Sequence, residues 1–134
     1  MAGYVLDTSA IIAYLYDEDG SDQAEAVIFG GGEVAVPFAA VMEVEYKLLR
    51  ELPDDTEERM TAFLDWPVQV IESDSDWRHE AAVIKSRGRL SYADAWIASL
   101  ALLRDAGLVH KDPEFDSIAE LRAVRLPYRP RGRR

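Results

Sequence analysis

Short apolar runs alternate along this chain with longer segments in which apolar side chains recur every three or four positions. The short runs predict buried β-strands, whereas the longer periodic segments predict amphipathic helices. The predicted strands are residues 4–6, 34–36, 68–71, 108–110 and 124–126. The predicted helices are residues 8–16, 22–29, 38–52, 53–64, 74–86 and 91–106.

Strands that alternate with helices indicate an α/β fold with a parallel sheet covered on both faces. We therefore predict a single three-layer α/β/α domain with about four or five parallel strands. The predicted domain spans residues 1–127, and the basic segment 128–134 is predicted to be a flexible tail. Functional sites in such sheets gather beyond the carboxyl ends of the strands.

Two acidic residues stand directly at predicted strand ends. Asp7 follows the first strand, and Asp112 follows the strand of residues 108–110. Each has an ordinary structural interpretation as well, because Asp7 is suited to cap the next helix and Asp112 is suited to the turn before Pro113. Their position at the same edge of the sheet nevertheless makes both candidates for a functional site.

Two further acids lie near the starts of predicted helices. Glu43 lies about one turn into the helix that follows the second strand, and an ion pair with Lys47 is its structural alternative. Asp94 forms the sequence pattern of a capping box with Ser91. The helix that Asp94 opens is apolar nearly all round, which indicates a buried helix. A carboxylate at that position needs a partner or a cation.

Converging carboxylates favour a metal ion. Two of them about 5 Å apart repel by roughly 3 kcal/mol at an effective dielectric near 20. Hard oxygen ligands suit Mg²⁺, or Mn²⁺ in its place, better than zinc. Such an ion can orient a water molecule and neutralise charge on a phosphodiester. The residues leave open whether one ion or two would bind.

The charge of the chain limits how it could bind a nucleic acid. The formal net charge is −10, which argues against a broad electrostatic surface for nucleic acid. Local basic patches remain, and Arg87 and Arg89 precede the helix of Asp94 closely enough to hold RNA at the rim of a site. A solvated loop is the alternative interpretation for this pair. A second basic patch lies in the tail, at Arg129, Arg131, Arg133 and Arg134.

Cysteine content and hydropathy indicate where the protein works. The chain has no cysteine, which excludes disulfides and a thiol nucleophile and fits a reducing cytosol. The first residues do not resemble a signal peptide. The longest apolar run, residues 95–103, is interrupted by Ser99 and is too short to span a bilayer. We expect a cytoplasmic protein without a membrane segment.

Four segments together resemble the PIN domain family. Residues 4–10, YVLDTSA, are similar to the opening of that family, and Val36-Pro37 with Glu43 downstream is similar to its second acidic site. Residues 90–95, LSYADA, resemble the third site, and residues 108–112, LVHKD, with Phe115 resemble the fourth. The resemblance covers nearly the whole chain, in order. At this length the chain looks most like a VapC-type toxin of a toxin–antitoxin pair.

The resemblance implies an activity and partners. It implies a Mg²⁺-dependent endoribonuclease acting on cellular RNA, a homodimer, and inhibition by a small antitoxin protein. It assigns metal binding and catalysis to Asp7, Glu43, Asp94 and Asp112. Ser9 would be the polar helper beside the first acid, and Asp116 is an additional acid near the fourth.

The sequence departs from the family pattern at one position. His110 stands where PIN domains more often have a small hydroxyl residue. The departure affects the contact made at that position and leaves the four acids in place.

Three other functions compete with this one. A phosphotransferase of the haloacid-dehalogenase kind also begins with a strand-end Asp but requires a second Asp two residues later, where this chain has Ser9. A serine hydrolase is disfavoured because Ser9 lacks the glycine frame of a nucleophile elbow. A PIN-like module that binds RNA or a partner without cutting is the serious alternative, against which the presence of all four acids argues.

Overall fold

The computed structural model describes residues 3–127, and these form a five-stranded sheet flanked by helices. The strands are β1 (Tyr4–Leu6), β2 (Val34–Pro37), β3 (Gln69–Ile71), β4 (Gly107–His110) and β5 (Arg122–Arg125). Their order across the sheet is β3-β2-β1-β4-β5, and every neighbouring pair is parallel. The predicted single α/β domain with a parallel sheet is confirmed.

Six α-helices connect the strands. They are α1 (Thr8–Leu15), α2 (Ser21–Ile28), α3 (Phe38–Glu51), α4 (Thr56–Leu64), α5 (Ser75–Ser86) and α6 (Tyr92–Arg104). Short 3-10 segments cover Pro53–Asp55 and Pro113–Ser117. Among residues 3–127, no helix has the length and apolar character needed to cross a membrane.

The central strand explains why the site lies where it does. In β1, Val5 pairs with Ala35 of β2 on one side and with Leu108 of β4 on the other. Val5 and Leu108 are both fully buried, as expected for strands covered on both faces. The chain leaves β1, β2 and β4 at the same edge of the sheet, which brings the segments that follow these strands together.

Helix α6 forms much of the core. Its residues are buried along most of its length, in agreement with the nearly all-round apolar pattern. Trp96 of α6 packs edge-to-face against Trp77 of α5, with ring centroids 5.0 Å apart. The Trp77 indole N–H donates to the Trp96 carbonyl and to the Ser99 hydroxyl, each at 2.9 Å. The Trp77 indole N–H and the Ser99 hydroxyl are therefore paired inside this core.

Most predicted bounds differ from the structure by one or two residues, and two elements show how. The single helix predicted for residues 53–64 divides into a 3-10 turn and α4, and the Thr56 hydroxyl donates to the Leu52 carbonyl at the junction. The last strand, predicted for residues 124–126, runs instead over Arg122–Arg125. Leu126 is nevertheless buried, and its N–H donates to the His110 carbonyl at 2.8 Å. The predicted basic tail, residues 128–134, lies outside the described residues.

Candidate active site

Asp7 is placed by the end of β1 and the start of α1. Its Oδ2 accepts hydrogen bonds from the Ser9 N–H and the Ser9 hydroxyl, so Asp7 does cap α1. Its Oδ1 is buried and has no hydrogen-bond partner among residues 3–127. A carboxylate oxygen left bare inside a protein is costly unless a cation or a proton is nearby. Capping therefore accounts for one oxygen of Asp7 and leaves the other to be explained.

Glu43 points into the same region from α3. Its Oε1 accepts a hydrogen bond from the Thr8 hydroxyl at 2.6 Å. Among the described residues it makes no ion pair with Lys47, although the two are one helical turn apart. The structure therefore joins Glu43 to the start of α1 and not to its neighbour on the same helix.

Asp94 lies in the first turn of α6. The Ser91 hydroxyl accepts a hydrogen bond from the Asp94 N–H at 3.2 Å, so Ser91 is the N-cap. The Asp94 side chain lines the cavity that Asp7 and Glu43 also line, although the residue is only 9% exposed. Ser91 is therefore the residue that caps α6. The Asp94 carboxylate shares its cavity with the other three acids.

Asp112 follows β4 and begins the 3-10 segment. Its Oδ1 accepts from the Glu114 N–H at 2.9 Å, which is the turn role that the sequence allowed. Its own N–H donates to His110 Nδ1 at 3.1 Å. His110 is completely buried, and its Nε2 has no partner among residues 3–127. Burial lowers the pKa of His110, which favours the neutral ring.

One cavity of about 450 Å³ unites these side chains. All four predicted acids line it, as does Ser9, whose hydroxyl accepts from the Lys111 N–H at 2.8 Å. The cavity has further lining residues that the sequence reasoning missed, notably Thr8, Glu18, Lys47, Glu51 and Lys111. A signal for part of this set was present, because Glu43, Lys47 and Glu51 are spaced at four-residue intervals on α3 and so share a face.

Burial, helped by repulsion between the carboxylates, raises the pKa of two of the acids. Desolvation by burial is the main cause that raises the pKa of Asp7 from 3.8 to about 6, against the lowering effect of its bonds from Ser9. Burial also raises the pKa of Asp94 to about 7, and the charges of Asp7, Asp112 and Glu43 add to the shift. Perturbed carboxylates in a cavity are a recognised mark of a functional site.

The donor set fits a divalent cation. Asp94, Asp112 and Glu114 each offer an oxygen, and these atoms lie within 4.8 Å of one another. Asp7 and Glu43 line the cavity beside this trio, and Asp7 contributes the unpaired oxygen. Carboxylate oxygens are the ligands that Mg²⁺ and Mn²⁺ prefer. Glu114 was not predicted as a site residue; only its place two residues after Asp112 could have indicated it.

Three predicted supporting residues lie outside the cavity. Asp116 forms an exposed ion pair with Arg125 at 3.2 Å. Arg87 forms a two-bond ion pair with Glu120, and Arg89 is exposed. The structure thus brings the four acids and Ser9 together but does not bring these three into the same cavity.

Comparison with known proteins agrees with this geometry. The chain matches the PIN domain over residues 4–121, and no curated protein matches it. VapBC2 of Rickettsia felis, solved with a promoter DNA fragment, superposes with a TM-score of 0.77 at 16% identity, covering 92% of this chain and 98% of that one. VapBC-5 of Mycobacterium tuberculosis, from a toxin–antitoxin family, has a TM-score of 0.66 at 25% identity, covering 94% and 100%.

A third solved structure is described by its activity. VapC20 of Mycobacterium tuberculosis, a toxin that cleaves the sarcin–ricin loop, has a TM-score of 0.71 at 16% identity, covering 89% of this chain and 96% of that one. The TM-scores of the first and third structures show similarity of fold, and at 16% identity they show the fold alone. The match over residues 4–121 spans most of the chain and all four predicted acids. The chain therefore belongs to the PIN domain family and has the fold seen in VapBC toxin–antitoxin complexes.

Proposed function

We propose that this chain is a Mg²⁺-dependent endoribonuclease that cleaves cellular RNA as the toxin of a toxin–antitoxin pair. The observation that carries the proposal is the cavity at the carboxyl ends of the strands, where Asp7, Glu43, Asp94 and Asp112 converge. Membership of the PIN family supports it, since nucleases are general in that family. The cleavage of the sarcin–ricin loop is a property of VapC20, and it supports only the class of reaction for this chain.

The acids would hold the ion. Asp94, Asp112 and Glu114 offer the closest set of oxygens, and Asp7 Oδ1 is available because no residue from 3 to 127 occupies it. When bound, Mg²⁺ or Mn²⁺ would orient a water molecule and neutralise charge on the phosphodiester. Ser9 keeps Asp7 in place through Oδ2, which leaves Oδ1 directed away from that contact.

Two lysines would meet the anionic substrate. Lys47 and Lys111 line the acidic cavity, and Lys111 is held by Glu18 and by the Asp19 carbonyl. Lys47 makes no ion pair within the described part of the chain. Its ammonium group lies 5.9 Å from the centroid of the Tyr46 ring. An ammonium group without a carboxylate partner, in a cavity of an acidic protein, is suited to a phosphate of RNA. Arg87 and Arg89 remain candidates for contacts farther along the strand.

The partners are also part of the proposal. A small antitoxin that covers the site is supported by the VapBC complexes among the structural neighbours. Homodimerisation is proposed from the family resemblance, and a cytoplasmic location is proposed from that resemblance and from the cysteine-free sequence. A short open reading frame directly upstream of the gene, whose product co-purifies with this chain and blocks its activity, would establish the partner.

A cleavage assay tests the proposed reaction. Purified protein is incubated with labelled RNA in EDTA, in Mg²⁺ and in Mn²⁺, beside Asp7→Asn, Glu43→Gln and Asp112→Asn. We expect metal-dependent internal cleavage by the wild type only. Asp116→Asn is the matched control, because it removes a carboxylate charge outside the cavity. Metal binding without any cleavage by clean protein would instead favour a PIN-like binding module.

A further inference from the structure

The chain that leaves β4 is held by two side-chain acceptors in succession. The Lys111 N–H donates to the Ser9 hydroxyl at 2.8 Å, and the Asp112 N–H donates to His110 Nδ1 at 3.1 Å. Ser9 is also bonded to Asp7, so the first contact ties the strand end to the first acid. The second contact involves only His110 and the fourth acid. Together they fix the backbone from which the Asp112 carboxylate projects.

The ring and the main chain of His110 are both fixed by their surroundings. Its side chain is fully buried, and its ring lies 5.0 Å from the Phe115 ring at an interplanar angle of 61°. Its own carbonyl accepts from the Leu126 N–H, so its main chain is fixed as well. Because Nδ1 accepts a hydrogen bond, the neutral ring carries its proton on Nε2. That Nε2 has no hydrogen-bond partner among residues 3–127. The hydrogen bond from the Asp112 N–H to Nδ1 is therefore the one that the ring makes within the described residues.

We propose that His110 is a positioning residue for the cation site: its Nδ1 holds the Asp112 amide and thereby aims the Asp112 carboxylate at Asp94 and Glu114. The proposal rests on the proposed function, because it concerns the same cation. The essential feature is an acceptor atom at the Nδ1 position, not the ring or its charge. Removing a residue that hydrogen-bonds to a metal ligand and orients it commonly weakens metal affinity by about 10–100-fold.

Two substitutions separate the acceptor from the packing. His110→Asn keeps an oxygen where Nδ1 stands but loses ring volume, whereas His110→Leu fills the space and lacks the acceptor. We expect His110→Leu to weaken Mn²⁺ binding, measured by calorimetry, by about 10–100-fold. We expect His110→Asn to keep affinity near that of the wild type, even if its melting temperature in EDTA is lower. Phe115→Leu is the control, because it disturbs the ring packing and retains the acceptor.

A second measurement does not need the metal. The Asp112 amide should exchange its hydrogen faster in His110→Leu than in the wild type or His110→Asn, with all three proteins measured in EDTA by NMR. If metal affinity instead follows melting temperature across the three variants, His110 is only a core residue and the inference is overturned. Equal Mn²⁺ affinity of the wild type and His110→Leu also overturns it, but leaves the proposed function intact. A wild type that binds no Mn²⁺ overturns the proposed function itself, and with it the cation role of His110.

Discussion

The first turns of α6 separate two cavities of similar size and opposite chemistry. Ser91 and Asp94 line the cavity of about 450 Å³ that contains the acids. Tyr92, Ala95 and Trp96 line a second cavity of about 360 Å³, between α6 and α5, whose surface is mostly apolar. One helix therefore presents a carboxylate to one side and apolar groups to the other.

The difference shows where this protein trades stability for chemistry. The lining residues of the apolar cavity include no acid, and only Arg78 and Lys85 carry a charge. The acidic cavity brings together carboxylates that repel each other and contains a buried oxygen without a partner among the described residues. Functional sites commonly lower stability in this way. Metal ions, pH and charge-removing substitutions should consequently affect the first cavity and spare the second.

The largest effect should come from Asp94→Asn. RNA cleavage should fall by orders of magnitude, because the substitution removes a charged ligand from the proposed cation site. The metal-free protein should be as stable as the wild type or more stable, since a repelled charge is lost. Cleavage kinetics and denaturant unfolding in EDTA measure the two results. Ser91→Ala is the control: it should cost about 1 kcal/mol of helix capping and spare most activity. If the Asp94→Asn protein is folded, fully active and less stable than the wild type, Asp94 is not a residue of the cation site.

Stability of the metal-free protein should depend on pH in an unusual direction. The pKa of Asp7 is about 6 and that of Asp94 about 7 in the folded protein, against 3.8 as the ordinary value. The folded state thus keeps protons that the unfolded chain releases, so their stabilisation is complete below pH of about 4 and is lost as pH rises through about 7. The Asp7 shift alone corresponds to a loss on the order of 3 kcal/mol.

A double variant isolates this contribution from that of the other acids. Asp7→Asn combined with Asp94→Asn should flatten the free energy of unfolding between about pH 4 and 7.5, measured by urea titration in EDTA. The same pH series on the wild type in saturating Mg²⁺ should also be flatter, because the ion favours the ionised carboxylates. A wild type whose stability in EDTA rises steadily over this range would contradict the raised pKa values.

Metal should stabilise the wild type against heat. An ion that binds only the folded state adds about 3 kcal/mol when its concentration is a hundredfold above Kd. Differential scanning fluorimetry in EDTA and in millimolar Mg²⁺ or Mn²⁺ should therefore show a higher melting temperature with the ion. Asp7→Asn should lose most of the shift. Ala82→Leu, which alters the apolar cavity, should keep it. Identical melting of the wild type with and without metal would exclude a cation site in the acidic cavity.

The smallest effects should be those on RNA affinity. Lys47→Ala should raise KM several-fold and make the slope of log Kd against log salt shallower by about one unit, because one phosphate contact is lost. The double variant Arg87→Ala with Arg89→Ala should also bind RNA more weakly with a shallower slope. We expect the Lys47 effect to be larger, since Arg87 is paired with Glu120 outside the cavity. An unchanged slope in the double variant would show that Arg87 and Arg89 belong to a solvated loop and do not contact RNA.

Much of this protein follows from local patterns in its sequence. Alternation of apolar runs with helical periodicity predicted the parallel sheet, because each pattern depends on residues close together in the chain. The rule on strand ends then placed Asp7 and Asp112 at one edge. The family resemblance added the roles of Glu43 and Asp94. Asp7, Asp94 and Asp112 lie next to element boundaries, where the sequence signal is strongest, whereas Glu43 lies inside α3.

The tertiary structure decided which polar groups pair. Glu43 accepts from Thr8, 35 residues away, and not from Lys47 on its own helix, so Lys47 lines the cavity without pairing with Glu43. Arg87 pairs with Glu120 at a separation of 33 residues. His110 ends a predicted strand, yet nothing near it in the chain indicated that its ring would be buried with Nδ1 turned toward Asp112. Such pairings depend on distances across the folded chain, and these arise only when helices from different parts of the sequence pack on one sheet.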